Sequence, residues 1–207
     1  MKRPSKIVCV GRNYTEHASE LGNVVPEKPL LFLKPPSAVI ASGEEIVLPE
    51  ASLRVEHEGE IGVVVGTELR RVSEEEARMG IGGITCVNDV TARDLQKADG
   101  QWTRAKGFDT FCPIGPRVVS PDKLPTLDAL EVICRVNGAE RQHGHAGDMV
   151  FSIPMLLSYI SHIMTLEPGD VVTTGTPSGV GPLVPGDLVE VEIPGVGVLT
   201  NTVVSST

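Results

Sequence analysis

The chain has 207 residues, a net charge of −9 and a hydrophobic share of 41%, which suits one domain with a sizeable core. The acidic balance argues against nucleic acid as a partner, because phosphate binding needs a basic surface. No apolar run approaches the roughly 18 residues of a membrane span. The apolar run after the basic start is too short for a signal peptide, so we expect a cytoplasmic protein.

The composition favours a β-rich α+β fold over a helix bundle. The chain has 16 prolines, 22 glycines and only 3% aromatic residues, and its apolar residues fall in short β-branched runs. The four cysteines lie far apart among apolar neighbours, so we predict reduced, buried thiols rather than a zinc site or a disulfide framework. These are Cys9, Cys86, Cys112 and Cys134.

In the first half of the chain the pattern predicts strands over residues 6–10, 30–33, 55–66 and 81–87, with irregular β structure over 37–48. A short helix or ordered loop is predicted over 13–21, followed by a mobile segment over 22–29. A second helix should begin at Ser73, because Ser73 and Glu76 form the pattern of a capping box.

In the second half, residues 91–97 read as a helical turn and residues 98–101 as a flexible link. The pair Asn137-Gly138 suits a tight turn and predicts a hairpin over 132–142. The strongest helix signal covers 152–164, with Ser152 as its cap. Strands are predicted over 171–174, 188–193 and 196–204, with a loop over 175–181.

Three carboxylates precede the apolar part of the central strand. In a strand from Val55, the side chains of Glu56, Glu58 and Glu60 share one face and His57 takes the other. Burying such charges is costly unless they bind a cation, so this pattern predicts a hard divalent ion, with Asp89 at the next strand end as a further ligand. A solvated strand end is the alternative, and spacing alone does not exclude Glu56.

Four other groups could carry chemistry. His17 and Glu20, three apart on a helix, could form a general base, although such pairs are often surface pairs. Arg93, Gln96 and Lys106 could hold a carboxylate, or be ordinary surface residues.

Loop amides around Thr176 could bind an anion, although a turn-rich connection is the simpler interpretation. His143 and His145 could share a strand face and bind a metal. Since no third ligand is near in sequence, we favour a solvated loop.

Six motifs occur along the chain in a fixed order. They are Gly11-Arg12-Asn13-Tyr14 with His17 and Glu20, Phe32-Leu33-Lys34-Pro35, His57-Glu58-Gly59-Glu60, Asn88-Asp89 with Thr91-Ala92-Arg93-Asp94 and Gln96, Trp102 to Pro116, and Thr174-Gly175-Thr176-Pro177 with Gly179-Val180-Gly181. Each is weak alone, but the series closely resembles the fumarylacetoacetate hydrolase family. The resemblance is to short members that include acylpyruvate hydrolases and oxaloacetate decarboxylases, and it runs from about Lys6 to Val204.

The resemblance implies a mixed β-sandwich roll over residues 1–207 as a single domain, a homodimer, and bound Mg²⁺ or Mn²⁺. It implies that Glu58, Glu60 and Asp89 ligate the metal, which demotes Glu56. His17 and Glu20 would activate water from a lid over about residues 11–29. The residues implied to contact a small oxo-acid substrate are Arg93, Gln96, Thr176 and Lys106, with Arg12 and Lys34 also at family positions.

The first functional expectation is hydrolysis of a C–C bond in a 2,4-dioxo acid, with the metal and Lys106 stabilising the enolate that leaves. Strand-forming sequence begins at Lys6 without the extra N-terminal segment of some relatives, which favours this acylpyruvate chemistry. The alternatives are an oxaloacetate decarboxylase, or an isomerase of oxo-diacids in aromatic catabolism. A non-catalytic binding module is the alternative of another class, and the intact dyad and metal set argue against it.

Overall fold

Three β-sheets form the framework of the computed structural model, which describes residues 3–20, 22 and 24–206. Leu21, the predicted end of the first helix, and Asn23, within the predicted mobile segment, lie outside the described residues. In the part of the chain that is described, no helix is long and apolar enough to cross a membrane.

The strands and helices are numbered in chain order. The strands are β1 (Ile7–Gly11), β2 (Leu30–Lys34), β3 (Val39–Ile40), β4 (Glu45–Leu48), β5 (Val55–His57), β6 (Gly59–Val65), β7 (Ile81–Asn88), β8 (Thr91–Ala92), β9 (Cys112–Val119), β10 (Glu131–Val136), β11 (Ala139–His145), β12 (Val171–Thr173), β13 (Gly181–Pro182), β14 (Leu188–Ile193) and β15 (Gly197–Ser205). The α-helices are α1 (Thr15–Glu20), α2 (Glu74–Met79), α3 (Arg93–Asp99), α4 (Thr103–Lys106) and α5 (Ile153–Ser161). Short 3₁₀ turns occupy Pro36–Ala38, Pro121–Lys123, Leu127–Ala129 and Ala146–Asp148.

The largest sheet has seven strands in the order β2-β1-β12-β6-β7-β9-β3, and a five-stranded sheet has the order β11-β10-β14-β15-β4. Both mix parallel and antiparallel pairs. A third, small sheet joins β13, β5 and β8. The prediction of a mixed, β-rich α+β sandwich is confirmed.

The core lies between the two large sheets. One cluster of buried residues includes Val63 and Cys86 from the larger sheet and Cys134, Val191 and Leu199 from the smaller one. The sheets approach so closely at Gly59 that a Cβ there would lie 2.9 Å from the Cβ of Cys134. A side chain at position 59 would therefore push the sheets apart at the strand that carries the predicted metal ligands.

All four cysteines are free and buried, as predicted. Burial raises the pKa of the Cys86, Cys112 and Cys134 thiols to about 12. These side chains therefore behave as small apolar groups and take no part in the chemistry considered below.

The predicted central strand is interrupted at Glu58. Strand β5 belongs to the small sheet and β6 to the large one, so the chain passes from one sheet to the other at this residue. The amide of Glu58 donates to Asn88 Oδ1 at 3.0 Å, and the amide of Asp89 donates to the Glu58 carbonyl at 2.8 Å. These bonds hold the two acidic strand ends side by side, although Glu58 and Asp89 lie far apart in the chain.

Four element predictions need correction. The helical turn predicted from Thr91 begins at Arg93, because Thr91 and Ala92 pair with β5, and α3 continues to Asp99, two residues into the predicted link over 98–101. Helix α5 ends at Ser161 rather than at Met164. No strand was predicted over β9, which contains two prolines, residues that are uncommon inside strands. The hairpin strand β11 extends to His145, so His143 and His145 lie on an exposed strand rather than in a loop.

The capping box of α2 is confirmed and supports a stability prediction. The Glu76 amide donates to Ser73 Oγ, and the Ser73 amide donates to the Glu76 carboxylate at 2.8 Å. We expect Ser73→Ala to lower the free energy of unfolding by about 1 kcal/mol, measured by urea denaturation. Ser120→Ala is the control, because Ser120 precedes a short 3₁₀ turn without a side-chain cap and should change little. Equal losses in both variants would contradict the capping role.

Candidate active site

A cavity of about 280 Å³ opens between β1, β6, α3, α4 and the loop after β12. Phe32 and Trp102 form part of its wall, with ring centroids 5.2 Å apart in an edge-to-face arrangement. Eight of the predicted site residues line this cavity, namely Arg12, His17, Glu58, Glu60, Arg93, Gln96, Lys106 and Thr176. The structure therefore brings together residues that lie as much as 164 positions apart between Arg12 and Thr176.

Three buried carboxylates converge beside the cavity. Ligand atoms of Glu58, Glu60 and Asp89 all lie within 4.8 Å of one another. Their exposed fractions are 4%, 1% and 1%. Glu56 is not part of this cluster, although it is also buried. The alternative of a solvated strand end is therefore wrong for these residues.

Two buried lysines contact the same aspartate. Lys106 Nζ lies 2.6 Å from Asp89 Oδ2 and 2.8 Å from Glu58 Oε2. Lys34 Nζ donates to Asp89 Oδ1 at 2.6 Å and to the Val90 carbonyl at 3.1 Å. Lys106 lines the cavity, whereas Lys34 is not among the described residues that do so. Lys106 therefore lies at the cavity wall, and Lys34 contacts Asp89 without lining the cavity.

The carboxylates of Glu58 and Glu60 are in opposite electrostatic situations. Burial disfavours the charged form of Glu58, but the charges of Lys106 and Arg93 outweigh burial and lower its pKa. Burial raises the pKa of Glu60 well above its usual value, and the charges of Asp89 and Glu58 raise it further. Among the described residues, the hydrogen bond to the Glu60 carboxylate comes from the Gly175 amide, at 2.8 Å. Glu60 is therefore the acid that most needs a cation.

This donor set fits a hard divalent cation. The cluster supplies only carboxylate oxygens, which are the ligands that Mg²⁺ and Mn²⁺ prefer. A positive charge beside Glu60 would favour its ionisation, which burial and the charges of Asp89 and Glu58 oppose. Glu58, Glu60 and Asp89 could therefore hold such an ion, as predicted.

Arg93 is held between two acids rather than pointing freely into the cavity. Its Nε donates to Glu56 Oε2 at 2.7 Å, an NH₂ group contacts Glu58, and its Nη1 donates to Gln96 Oε1 at 2.6 Å. Glu56 also contacts Arg54 at 2.6 Å. Glu56 thus orients Arg93, a role that spacing could not reveal because the two residues lie 37 positions apart.

His17 and Glu20 form the predicted pair. His17 Nδ1 lies 3.4 Å from Glu20 Oε2, and His17 is only 5% exposed. The Glu20 carboxylate also accepts from the Gly179 amide at 3.2 Å, which ties helix α1 to the loop after β12. A carboxylate at Nδ1 favours the proton on that nitrogen and leaves Nε2 as the proton acceptor. Burial lowers the pKa of His17, so the ring stays neutral at neutral pH and its Nε2 is available to accept a proton.

Thr176 and Gln142 connect the loop after β12 to the start of β6. Gln142 was not predicted from the sequence. Thr176 Oγ1 donates to the Gly59 carbonyl at 2.9 Å and accepts from Gln142 Nε2 at 2.7 Å. Gln142 Oε1 accepts from the Gly59 amide at 3.0 Å and contacts His57 Nδ1, also at 3.0 Å. A lone buried glutamine just before two exposed histidines carries no sequence signal of this role.

Arg12 reaches the cavity from a strained position. Its φ is +59°, which non-glycine residues seldom adopt. Such backbone strain is often found at functional sites. The position of Arg12 agrees with its predicted contact to a substrate, which stays a prediction.

The architecture and this site define a known class of enzyme. The family model described as "Fumarylacetoacetate (FAA) hydrolase C-terminal" matches residues 6–204. The chain therefore belongs to the fumarylacetoacetate hydrolase family, and it is an enzyme.

Three relatives illustrate the range of this family. The chain is 45% identical to the mitochondrial oxaloacetate decarboxylase of Dictyostelium discoideum, over 92% of this chain and 89% of that protein. It is 45% identical to the mitochondrial oxaloacetate tautomerase fahd-1 of Caenorhabditis elegans, over 90% and 88%. A solved structure named 5-carboxymethyl-2-hydroxymuconate delta-isomerase, from Mycobacterium smegmatis, superposes with a TM-score of 0.91 at 45% identity, covering 99% of this chain and 80% of that one.

Proposed function

We propose that the protein is a Mg²⁺- or Mn²⁺-dependent enzyme that acts on oxaloacetate or a similar 2-oxo diacid. It interconverts the keto and enol forms of the substrate, and it releases carbon dioxide from the keto form, which leaves the enolate of the shortened acid. This proposal follows the alternative drawn from the sequence, because relatives at 45% identity are named as an oxaloacetate decarboxylase and an oxaloacetate tautomerase. Hydrolysis of acylpyruvates, the first expectation, is the second candidate.

One observation carries the proposal, namely the charge of the cavity. Four cationic side chains line it beside the carboxylates of Glu58 and Glu60, and they are Arg12, Arg93, Lys97 and Lys106. A cation held by Glu58, Glu60 and Asp89 would add positive charge. Such a cavity suits a small dianion, and its volume of about 280 Å³ is at the small end for ligand pockets.

The chain's own residues supply binding and proton transfer. Arg93 and Arg12 would hold the two carboxylates of the substrate, with Arg93 kept rigid by Glu56 and Gln96. His17 Nε2 would take a proton from the carbon between the oxo group and the distal carboxylate, and would deliver it to the oxygen of the former oxo group, which gives the enol. Lys106 would place its charge beside the developing enolate oxygen.

A bound divalent cation would supply Lewis acidity that makes the enolate less costly. In decarboxylation the distal carboxylate leaves as carbon dioxide, and the C–C electron pair remains on the substrate as the enolate. Lys106 would then donate a proton to the carbon that lost the carboxylate and regain one from solvent. Neither outcome needs an attacking water.

The test is turnover of oxaloacetate, followed as loss of enol absorbance and as release of pyruvate. We expect activity with Mg²⁺ or Mn²⁺ that disappears with EDTA, and slower cleavage of acetylpyruvate under the same conditions. Metal-dependent cleavage of acetylpyruvate without either activity on oxaloacetate would favour the hydrolase. No metal-dependent turnover on a panel of oxo acids would favour a binding module instead.

The His17–Glu20 pair is the specific observation that favours the second candidate, because it is arranged to deprotonate a water molecule. We expect His17→Asn to lower both enolisation and acylpyruvate hydrolysis by about 100-fold or more. Decarboxylation should fall much less, since bond cleavage itself needs no base. Steady-state rates on oxaloacetate and acetylpyruvate measure this difference.

The matched control is His162→Asn, since His162 lies exposed at the end of α5 outside the cavity. Wild-type rates of hydrolysis and enolisation in His17→Asn would contradict the role of His17 and Glu20 as a general base. The lid over residues 11–29 and the homodimer stay predictions.

A further inference from the structure

The outer face of the β10–β11 hairpin holds a second cluster of possible metal ligands. Glu131 lies opposite His145 in the strand register, and Ile133 lies opposite His143. His143 and His145 are two residues apart, so their side chains share one face. Ligand atoms of Glu131, His143 and His145 lie within 4.8 Å of one another. The strand pairing thus supplies the third ligand that is missing near these histidines in sequence.

The imidazoles already face carboxylates. His143 Nε2 lies 3.2 Å from Glu131 Oε2, and His145 Nδ1 lies 4.0 Å from Glu131 Oε1. The other nitrogen of His143, Nδ1, lies 3.6 Å from Glu140 Oε1. In metal sites a ligating histidine usually has a carboxylate or carbonyl at its second nitrogen, where it orients the ring. Glu140 occupies that position.

We propose that Glu131, His143 and His145 bind a transition-metal dication such as Zn²⁺, with Glu140 as the group that orients His143. Two imidazoles and one carboxylate suit zinc and its neighbours and suit Mg²⁺ poorly. Solvent completes the coordination, because the side chains of these residues are between 38% and 53% exposed. The site is separate from the carboxylate cluster of the cavity and goes beyond the proposed function.

Stability of the hairpin alone does not explain this arrangement. Exposed ion pairs contribute only about 0–1 kcal/mol. The two ring centroids lie 5.4 Å apart with a tilt of 31°, and each ring places one nitrogen within 4.0 Å of the Glu131 carboxylate. An ion bound there would connect β10 to β11 through side chains as well as through the backbone ladder.

The experiment titrates Zn²⁺ into the full chain under saturating Mg²⁺, by calorimetry and by NMR of the histidine ring protons. We expect the wild-type protein to bind one more equivalent of Zn²⁺ than His143→Gln. The ring signals of His143 and His145 should move, while those of His57 and His162 stay. Because the NMR measurement uses the wild-type protein, it is informative even if a variant folds poorly.

The matched control is His162→Gln, which should keep the wild-type stoichiometry because His162 lies at the end of α5. Glu140→Gln should bind the same number of Zn²⁺ equivalents as the wild type, but with an affinity about 10-fold lower, because an orienting carboxylate is lost. Equal zinc stoichiometry in wild-type protein and His143→Gln, or unmoved signals of His143 and His145, would overturn the proposal.

Discussion

Glu60→Gln is expected to lower metal-dependent turnover of oxaloacetate by at least about 1,000-fold, because Lewis-acid catalysis amounts to several kcal/mol. The glutamine keeps the size of the side chain and can still accept from the Gly175 amide, but it removes one anionic ligand of the cluster. Initial rates over a range of Mg²⁺ and Mn²⁺ concentrations measure the loss.

In the absence of metal, Glu60→Gln should not lower the stability of the folded protein. Since the pKa of Glu60 is raised in the folded protein, the folded state holds more protons than the unfolded chain above the ordinary glutamate pKa. Stability therefore falls as pH rises from that value toward the raised one. Glutamine carries no such charge, so metal-free Glu60→Gln should be at least as stable as the wild type at neutral pH.

Thermal unfolding with and without cation separates the two effects. At about 100 times Kd, a cation should stabilise the wild type by about 2.7 kcal/mol and the variant far less. Glu56→Gln is a matched control on the neighbouring strand. Burial works against ionisation of Glu56, but Arg93 and Arg54 outweigh it and lower its pKa, so this variant should lose stability and keep the response to metal. A Glu60 variant with a wild-type metal response would remove Glu60 from the site.

Local patterns in the sequence predict much of the fold. The capping box at Ser73, the Asn137-Gly138 turn and the alternation over 188–193 each depend on neighbours in the chain, and all three are confirmed. Strand β9 was missed, because it contains Pro113 and Pro116 and prolines are uncommon inside strands. Its pairing with β7 is set by tertiary contacts.

For the candidate site, too, the sequence predicts some features and not others. The six motifs contain the candidate site residues, and the structure places eight of these residues around one cavity. What the sequence could not show is how these charges are paired. Three of these contacts join segments that are distant in the chain, and they are Glu56 with Arg93, Gln142 with Thr176, and Lys34 with Asp89. Spacing gives no information on such partners, because they meet only when the sheets pack.

Replacing Lys106 with methionine is the second change with a large expected effect. The metal-free variant should lose about 3 kcal/mol of stability, the scale for breaking a buried ion pair. Glu58 and Asp89 would lose a common cation, since Lys106 Nζ contacts both and is 2% exposed at the side chain. Turnover should fall by about 100-fold to 1,000-fold, as when a charge-stabilising donor is removed. Chemical denaturation and steady-state kinetics measure these two losses.

Lys34→Met is the matched control, because both lysines are buried on the same aspartate and only Lys106 lines the cavity. A saturating divalent cation should restore part of the stability of both variants, since it replaces lost positive charge beside Asp89. The cation should restore kcat in Lys34→Met, because Lys34 acts only through Asp89. It should not restore kcat in Lys106→Met, because Lys106 would contact the substrate directly. If the cation restores kcat equally in both, then Lys106 only balances the charge of its acidic neighbours and has no direct role in the reaction.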